Sequence, residues 1–438
     1  MKIAPHRQTL AALLGLLSLA SSPAWTSAEE EYGFDLEEFE KKDRAWGGYV
    51  EAKWERSDIN QDGALSTLNL YKEPRSSLES LGSTLQLDGR VSRGMTTFNW
   101  VLQATGAQDD LAWNDKADIF EGYASIKATP NLSLDLGKKV FKWGKGYAWN
   151  PVGFIDRAKD PNNPEEAMEG YLGAGFDLIK SYGGELQTVA LTGVALPVWQ
   201  GVNEDFGERD NVNLAAKLYL LYKDTDIDLL WYGGNSRTTR YGIDFAKNLA
   251  ANLEVHGELA HIPKQRYKVL TENNTLALRE TSDTSYLVGA RYLTENDLTA
   301  IVEFYHNDDG YTEQETERFF QLVDQGYSQF LATGNDTLLQ QAEVVSESGY
   351  SRAQSGRNYL YARITQKEPG DILYFTPGIT AIVNLDDQSL SLSPEIVYTG
   401  ITNWEMRFRF SWLNGAEMSE YGEKQNSNKL ELRARYFF

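Results

Sequence analysis

Four arginines near the end of the chain fall two apart in two pairs: Arg407 and Arg409 in "NWEMRFRFSW", Arg433 and Arg435 in "KLELRARYFF". A spacing of two puts each pair on one face of a strand, where guanidinium forks can present an array to carboxylates or phosphates. Glu51 and Glu55 in "GGYVEAKWERS", Glu254 and Glu258 in "LEVHGELA", and Arg291, Glu303 and Arg363 occupy the polar phase of their own segments. This is chemistry that sorts charge and makes no bonds. Bond-making signatures are poor. Four histidines and no cysteine occur, "G-x-S-x-G" is absent, and "WGKGY" lacks the rest of a phosphate-binding loop. No enzyme is expected. Asp58, Asn60, Asp62 and Gly63 copy the opening of a calcium loop, but position twelve is Asn69, not a bidentate Glu. A solvated turn is the stronger reading of that stretch and calcium the weaker, so no other cofactor is expected.

What holds such residues is a series of segments of roughly ten residues with period two, running from Trp46 to the end. In "NWEMRFRFSW", Trp404, Met406, Phe408, Phe410 and Trp412 oppose Glu405, Arg407 and Arg409. Five large apolar side chains on one strand face would aggregate in water and are ordinary in lipid. The segments number about 18, with 16 as the alternative; short turns such as "SRGM", "TPN", "KDTD" and "TEND" fall at every second junction, and the others are often longer, notably 57–78, 144–170, 267–281 and 307–356. The fold class expected is therefore all-β: an antiparallel transmembrane barrel with short periplasmic turns and long outer loops. A barrel of this size leaves an aqueous lumen, and the charged positions above are expected to line it, with an acidic wall opposing a basic one and Glu51 and Glu55 closing the barrel next to Arg433 and Arg435.

Residues 1–28 read as a secretory signal peptide: Lys2, His6 and Arg7 precede an apolar run from Leu10 to Ala20, and "TSA" suits cleavage. Residues 29–45 read as an acidic periplasmic segment and residues 46–438 as the barrel. The formal charge of −21 becomes −23 once Lys2 and Arg7 leave with the signal. An acidic surface argues against nucleic acid and suits a lipopolysaccharide layer bridged by divalent ions.

The final strand resembles the end of Gram-negative outer-membrane barrels, in which a terminal Phe with alternating apolar residues upstream addresses the barrel-assembly machinery. Here Tyr436 and Phe438, with Leu432 and Ala434, match that pattern. In residues 144–171, which follow the fifth strand, "WG" followed by "NP" resembles segments of porin-like and alginate-export barrels. That resemblance implies a channel or export role. It also implies a third outer loop folded into the pore, with Trp143, Lys145, Tyr147, Trp149, Asn150, Arg157, Lys159 and Asp160 as constriction residues. Residues 307–356 form the longest outer connection. Thr312 with Glu315 makes a capping box, and Phe319, Leu322, Val323, Phe330 and Leu331 recur at helical spacing. A packed cap is expected there more than a plug.

The function expected is passive, porin-like diffusion of small hydrophilic or charged solutes across the outer membrane. The alternative is the outer-membrane component of a polysaccharide or lipid export system, and a third reading is a loop-based adhesin. Outer-membrane lipid and lipopolysaccharide are the expected surroundings. A homotrimer or a periplasmic partner is left open.

Overall fold

A computed structural model describes residues 43–110 and 112–438. The signal peptide and most of the acidic segment lie outside the described residues. The strands are β1 (Arg44–Ile59), β2 (Ser77–Arg93), β3 (Thr96–Asp109), β4 (Trp113–Thr129), β5 (Leu132–Lys139) and β6 (Tyr171–Ser181). Next come β7 (Leu186–Val198), β8 (Asn211–Tyr222), β9 (Thr225–Gly233), β10 (Arg240–Ala250), β11 (Leu253–Leu270) and β12 (Leu276–Leu293). The chain ends with β13 (Leu298–His306), β14 (Asn358–Gln366), β15 (Phe375–Asn384), β16 (Leu390–Tyr398), β17 (Trp404–Asn414) and β18 (Asn426–Phe437). Each pairs antiparallel with its sequence neighbours, and β1 pairs with β18, from Tyr49 opposite Phe437 to Ile59 opposite Asn426. The 18-stranded sheet is closed, which removes every edge. The first strand opens at Arg44, two residues before the expected boundary.

Side-chain phase explains why this sheet is stable in a bilayer. Leu134, Phe176, Leu229, Phe245, Phe408 and Leu432 are exposed large apolar residues on the outside. Trp46, Tyr398, Trp404 and Tyr436 ring the short-turn rim, and Trp199, Trp231, Tyr241 and Trp412 ring the other. An apolar band between two aromatic girdles is the surface of a membrane barrel. Among the described residues no helix is long and apolar enough to cross a membrane; the strands do the crossing.

Both strands whose periodicity is weakest, β10 and β15, are present. Two long-side connections differ from expectation. The stretch 267–281 is no loop: β11 and β12 run on as a tall hairpin, because Tyr267, Val269 and Leu270 bury their side chains in a cap. The stretch 57–78 contains a short helix, α1 (Ala64–Leu70), whose Ala64, Leu65 and Leu68 enter the same cap. Seven residues cannot sustain a helix alone; packing and the Glu423 carboxylate, which accepts the Ala64 N–H at 2.6 Å, hold it.

The cap is completed by α2 (Glu313–Thr333) and α3 (Thr337–Val345) of the seventh loop. The capping box at the start of α2 is present: Thr312 Oγ1 accepts from Glu315 N–H, and Glu315 Oε2 accepts from Thr312 N–H at 3.0 Å. Phe319, Phe320, Leu322 and Val323 pack on Leu339, Ala342 and Val345, so this loop is a packed cap.

Candidate functional site: the lumen and the loop folded into it

The third loop (residues 140–170) leaves β5 and plasters itself against one side of the inner wall. Trp143, Val152, Phe154 and Ile155 pack on Val194, Leu196, Ala215, Leu230 and Ala260 of β7, β8, β9 and β11. Ala148 and Trp149 pack on Leu287, Ile301, Tyr359, Tyr361 and Ile382 of β12 to β15. Each such aromatic contributes about 1.5–3 kcal/mol by burial, which makes the loop part of the wall.

Polar anchors fix its register. Glu258 Oε1 accepts the N–H groups of Lys145 and Gly146, both at 2.6 Å, and Oε2 that of Val152 at 3.3 Å. Glu303 accepts from Tyr147 and Ala148 and lies 2.8 Å from His256 Nε2. Such close approach needs glycine: Gly144 has φ +102°, and a Cβ on Gly146 would lie 2.1 Å from the Trp149 carbonyl. Within the loop, Asp156 accepts the N–H groups of Phe141, Lys142 and Trp143 at 2.8–3.1 Å. Burial pushes the Asp156 carboxyl above its ordinary range, against those three donors. Burial also lowers the Lys159 ammonium, opposed by Glu258 and Glu303, while that ammonium donates to the Gly146 and Tyr147 carbonyls.

The loop leaves open a cavity of about 850 Å³ on the other side. Its far wall carries Arg363 on β14, Arg407 and Arg409 on β17, and Arg433 and Arg435 on β18, with Asp88 and Glu121 on β2 and β4. Eight cationic and six acidic side chains line it. Glu395 on β16, 5 % exposed, holds the upper arginines: Arg409 at 2.8 Å, Arg363 at 2.9 Å and Arg407 at 3.9 Å. Glu51 holds Arg435 at 2.6 Å and Arg433 at 3.6 Å. Arg407 is the least compensated of the five, with acceptors no nearer than 3.5 Å.

The far end of the third loop reaches across to this wall. Asn163 Oδ1 accepts from Arg409 Nη1 at 2.7 Å, and Glu166 Oε1 lies 2.9 Å from Arg433 Nη1. Beyond this crossing lies a second cavity of about 660 Å³, bounded by α1, the seventh and ninth loops, Asp160 and Lys429. The two cavities share Asn163 and Arg409. A vestibule therefore leads to the crossing, and the crossing to the arginine wall.

Several expected roles move. All eleven charged wall residues face inward, but Glu258 and Glu303 are 4 % and 0 % exposed beneath the loop and face no solvent. The acidic wall expected opposite the arginines is thus spent on anchoring. Glu55 pairs with Lys429 at 3.0 Å and Lys53 at 3.2 Å instead of joining Arg433 and Arg435. Glu254 and Arg291 are register partners near the short-turn rim. In the loop, Asn150, Arg157 and Lys159 border the cavity and Asp160 borders the vestibule, whereas Trp143 and Trp149 are buried. Lys145 turns into the wall, 3.0 Å from Asp228 and 3.9 Å from Asp244. Tyr147 donates to Glu165 at 2.7 Å. Arg157 pairs with Asp205 and Glu169 and lies over the Tyr171 ring.

The residues of the calcium-loop expectation have partners of their own. Asp58 ends up 3.7 Å from Arg56, and the Asn60 amide donates to the carbonyls of Gly422 and Lys424. Asp62 sits in the turn that follows, and no triplet of His, Cys, Asp or Glu is arranged for a metal among the described residues. Tyr436 and Phe438 face outward at the rim, against Trp404 and Trp46.

Sequence reading overlooked Glu395, Asn163, Glu165 and Glu166, and set Glu405 on the polar face without giving it a role. The alternation Ser391, Ser393, Glu395 against Leu390, Leu392, Ile396 carried the signal for Glu395, though Pro394 interrupts it. Nothing local marked Asn163 or Glu166, whose partners lie more than two hundred residues away.

No protein-family model and no curated sequence matches the chain. Solved structures do. A BenF-like porin from Pseudomonas fluorescens Pf-5 has a TM-score of 0.54 at 11 % identity, over 91 % of this chain and 99 % of that one. The outer membrane protein OprD from Pseudomonas aeruginosa has 0.52 at 10 %, over 91 % and 94 %. OccK2 of Pseudomonas aeruginosa, in complex with glucuronate, has 0.50 at 12 %, over 91 % and 98 %. At such identity the likeness is one of fold, that of porin-type outer-membrane barrels. It supports the porin-like resemblance and lends nothing to the alginate-export one.

Proposed function

We propose that this barrel is an outer-membrane channel for passive diffusion of small hydrophilic solutes, with a preference for those carrying a carboxylate. The observation that carries this reading is the path itself: a vestibule, a narrow crossing at Asn163 and Arg409, and a cavity walled by five arginines. Guanidinium forks in a confined lumen bind carboxylates bidentately and weakly enough to release them when several sites follow one another. The glucuronate bound in OccK2 is a solute of that class. Because eight cations face six acids, the preference for anions is moderate. The tall cap, the outward Tyr436 and Phe438 and the aromatic girdles fit a setting of lipopolysaccharide outside and assembly from the periplasm. Export of a bulky polymer is disfavoured by a loop that fills one side of the lumen and touches the other.

Purified protein in planar bilayers tests this. Stable open steps without any partner are expected, and a carboxylate such as glucuronate should briefly block them from the vestibule side. Electrical silence under all conditions would point to a plugged exporter or a structural barrel.

A further inference from the structure

A second basic site lies away from the lumen path. At the long-loop rim the fifth loop (residues 234–239), Glu208 and the bulged stretch Pro263–Arg266 of β11 enclose a pocket of about 640 Å³. Arg237, Arg240, Lys264 and Arg266 line it against one carboxylate, Glu208. In a chain of net charge −21, four cations in one pocket are conspicuous.

Their compensation is incomplete in a specific way. Arg266 has Glu280 at 2.7 Å. Arg237 donates to the carbonyls of Phe206 and Phe154 and lies 3.8 Å over the Phe206 ring, so it is held in place without being neutralised. The Arg240 side chain makes no ion pair or hydrogen bond with the described residues, and its Nε is shut off from solvent without a partner. Arg237 repels it, while Asp309 attracts it without forming an ion pair. Arg240 is only partly exposed, and a partly buried guanidinium beside a like charge, with no carboxylate paired to it, is unfavourable unless an anion completes the arrangement.

The floor of the pocket is rigid. Tyr232 Oη and Ser236 N both donate to Asn213 Oδ1, at 2.8 and 3.2 Å, and Ser236 Oγ donates to the Glu208 carbonyl at 2.7 Å. A Cβ on Gly207 would lie 2.3 Å from the Ser236 carbonyl, so the fourth and fifth loops meet backbone to backbone. The Arg240 fork, the remaining N–H donors of Arg237, the Lys264 ammonium and the hydroxyls of Thr238 and Thr239 thus line a preformed hollow. That is the chemistry of oxyanion recognition.

We propose that this pocket binds a phosphate-type oxyanion, centred on Arg240 and Arg237 and independent of conduction through the lumen. The oxyanion is supplied either by a phosphorylated lipid headgroup at the rim or by free phosphate. The test uses the full-length barrel, purified in detergent, with two readouts: calorimetric titration with inorganic phosphate, and the lipopolysaccharide retained through purification. Arg240→Gln should weaken phosphate binding about tenfold or more, and Lys264→Ala, at an exposed position, about threefold. Phosphate binding that both variants weaken assigns a free-anion site. No phosphate binding, with retained lipopolysaccharide lost in both variants, assigns the lipid headgroup. Arg409→Gln, in the lumen, should change neither. The proposal is overturned if wild type shows neither behaviour, if Lys264→Ala and Arg240→Gln both behave as wild type, or if Arg409→Gln weakens binding as much as they do.

Discussion

Arg407 and Arg433 sit on the same wall and face different tasks. Arg433 is held by Glu51, Glu166 and Glu405, with the last two at 2.9 and 3.2 Å; Arg407 has only distant acceptors. A passing carboxylate therefore gains most from Arg407, and displaces a loop contact to reach Arg409 or Arg433. Glu166→Ala should free one such contact and raise single-channel conductance and the rate of anion entry, with little change in thermal stability because Glu166 is half exposed. Unaltered conductance would place the Glu166–Arg433 contact outside the conducting path. Outside the membrane, burial holds the Glu420 carboxyl of the ninth loop above its ordinary value of 4.5, against donors that include Lys424, Tyr359 and Asn384. A raised carboxyl favours the protonated folded state, so its contribution to stability falls as pH rises from the unfolded value through the folded one. Amide exchange at Ser355 and Tyr421, corrected for intrinsic rates, should thus slow as pH falls from neutrality toward the ordinary carboxyl value, and Glu420→Gln should remove that dependence.

The third loop behaves as an element because two carboxylates on different strands grip five of its backbone N–H groups. Hydrogen bonds to a charged group contribute about 1.5–3 kcal/mol each, and an abandoned buried donor adds its own penalty. Glu258→Ala should cost about 2–4 kcal/mol of loop docking, seen as noisy, larger conductance and protease cleavage within residues 157–166. Gly146→Ala should do the same through a clash, at about 1–3 kcal/mol. A quiet channel in both variants would mean that apolar packing alone holds the loop. These anchors also mark where sequence reading stops. The period of two made Glu258 and Glu303 inward-facing on sight, since a charge facing hydrocarbon is costly. It could not separate an inward residue washed by solvent from one sealed beneath a loop, because the partner of Glu258 is 112 residues away. The same limit hid Lys145, whose place in a glycine-rich turn suggested the aperture and whose charge instead enters the wall beside Asp228.

At the scale of the whole molecule, closure and polarity come from one alternation applied eighteen times. That rule is local, so strand number, face and the long-loop rim were legible from residues alone. What lay beyond it were the contacts among loops. α1, the β11–β12 hairpin and the seventh-loop helices form one apolar cluster from three distant stretches; α2 announces itself by its capping box and helical spacing, whereas α1 and the tall hairpin have no local reason to fold as they do. The cap leaves the vestibule open beside it, and the third loop narrows the lumen from one side, so the conducting path is off-centre along β14, β17, β18 and β1. The most direct test is the zero-current potential of single channels in a salt gradient, for wild type and for Arg407→Gln/Arg409→Gln. The account predicts a moderate anion preference in wild type that shifts clearly toward cations in the double variant. A cation-preferring wild type, or a potential that the double variant leaves unchanged, would contradict it.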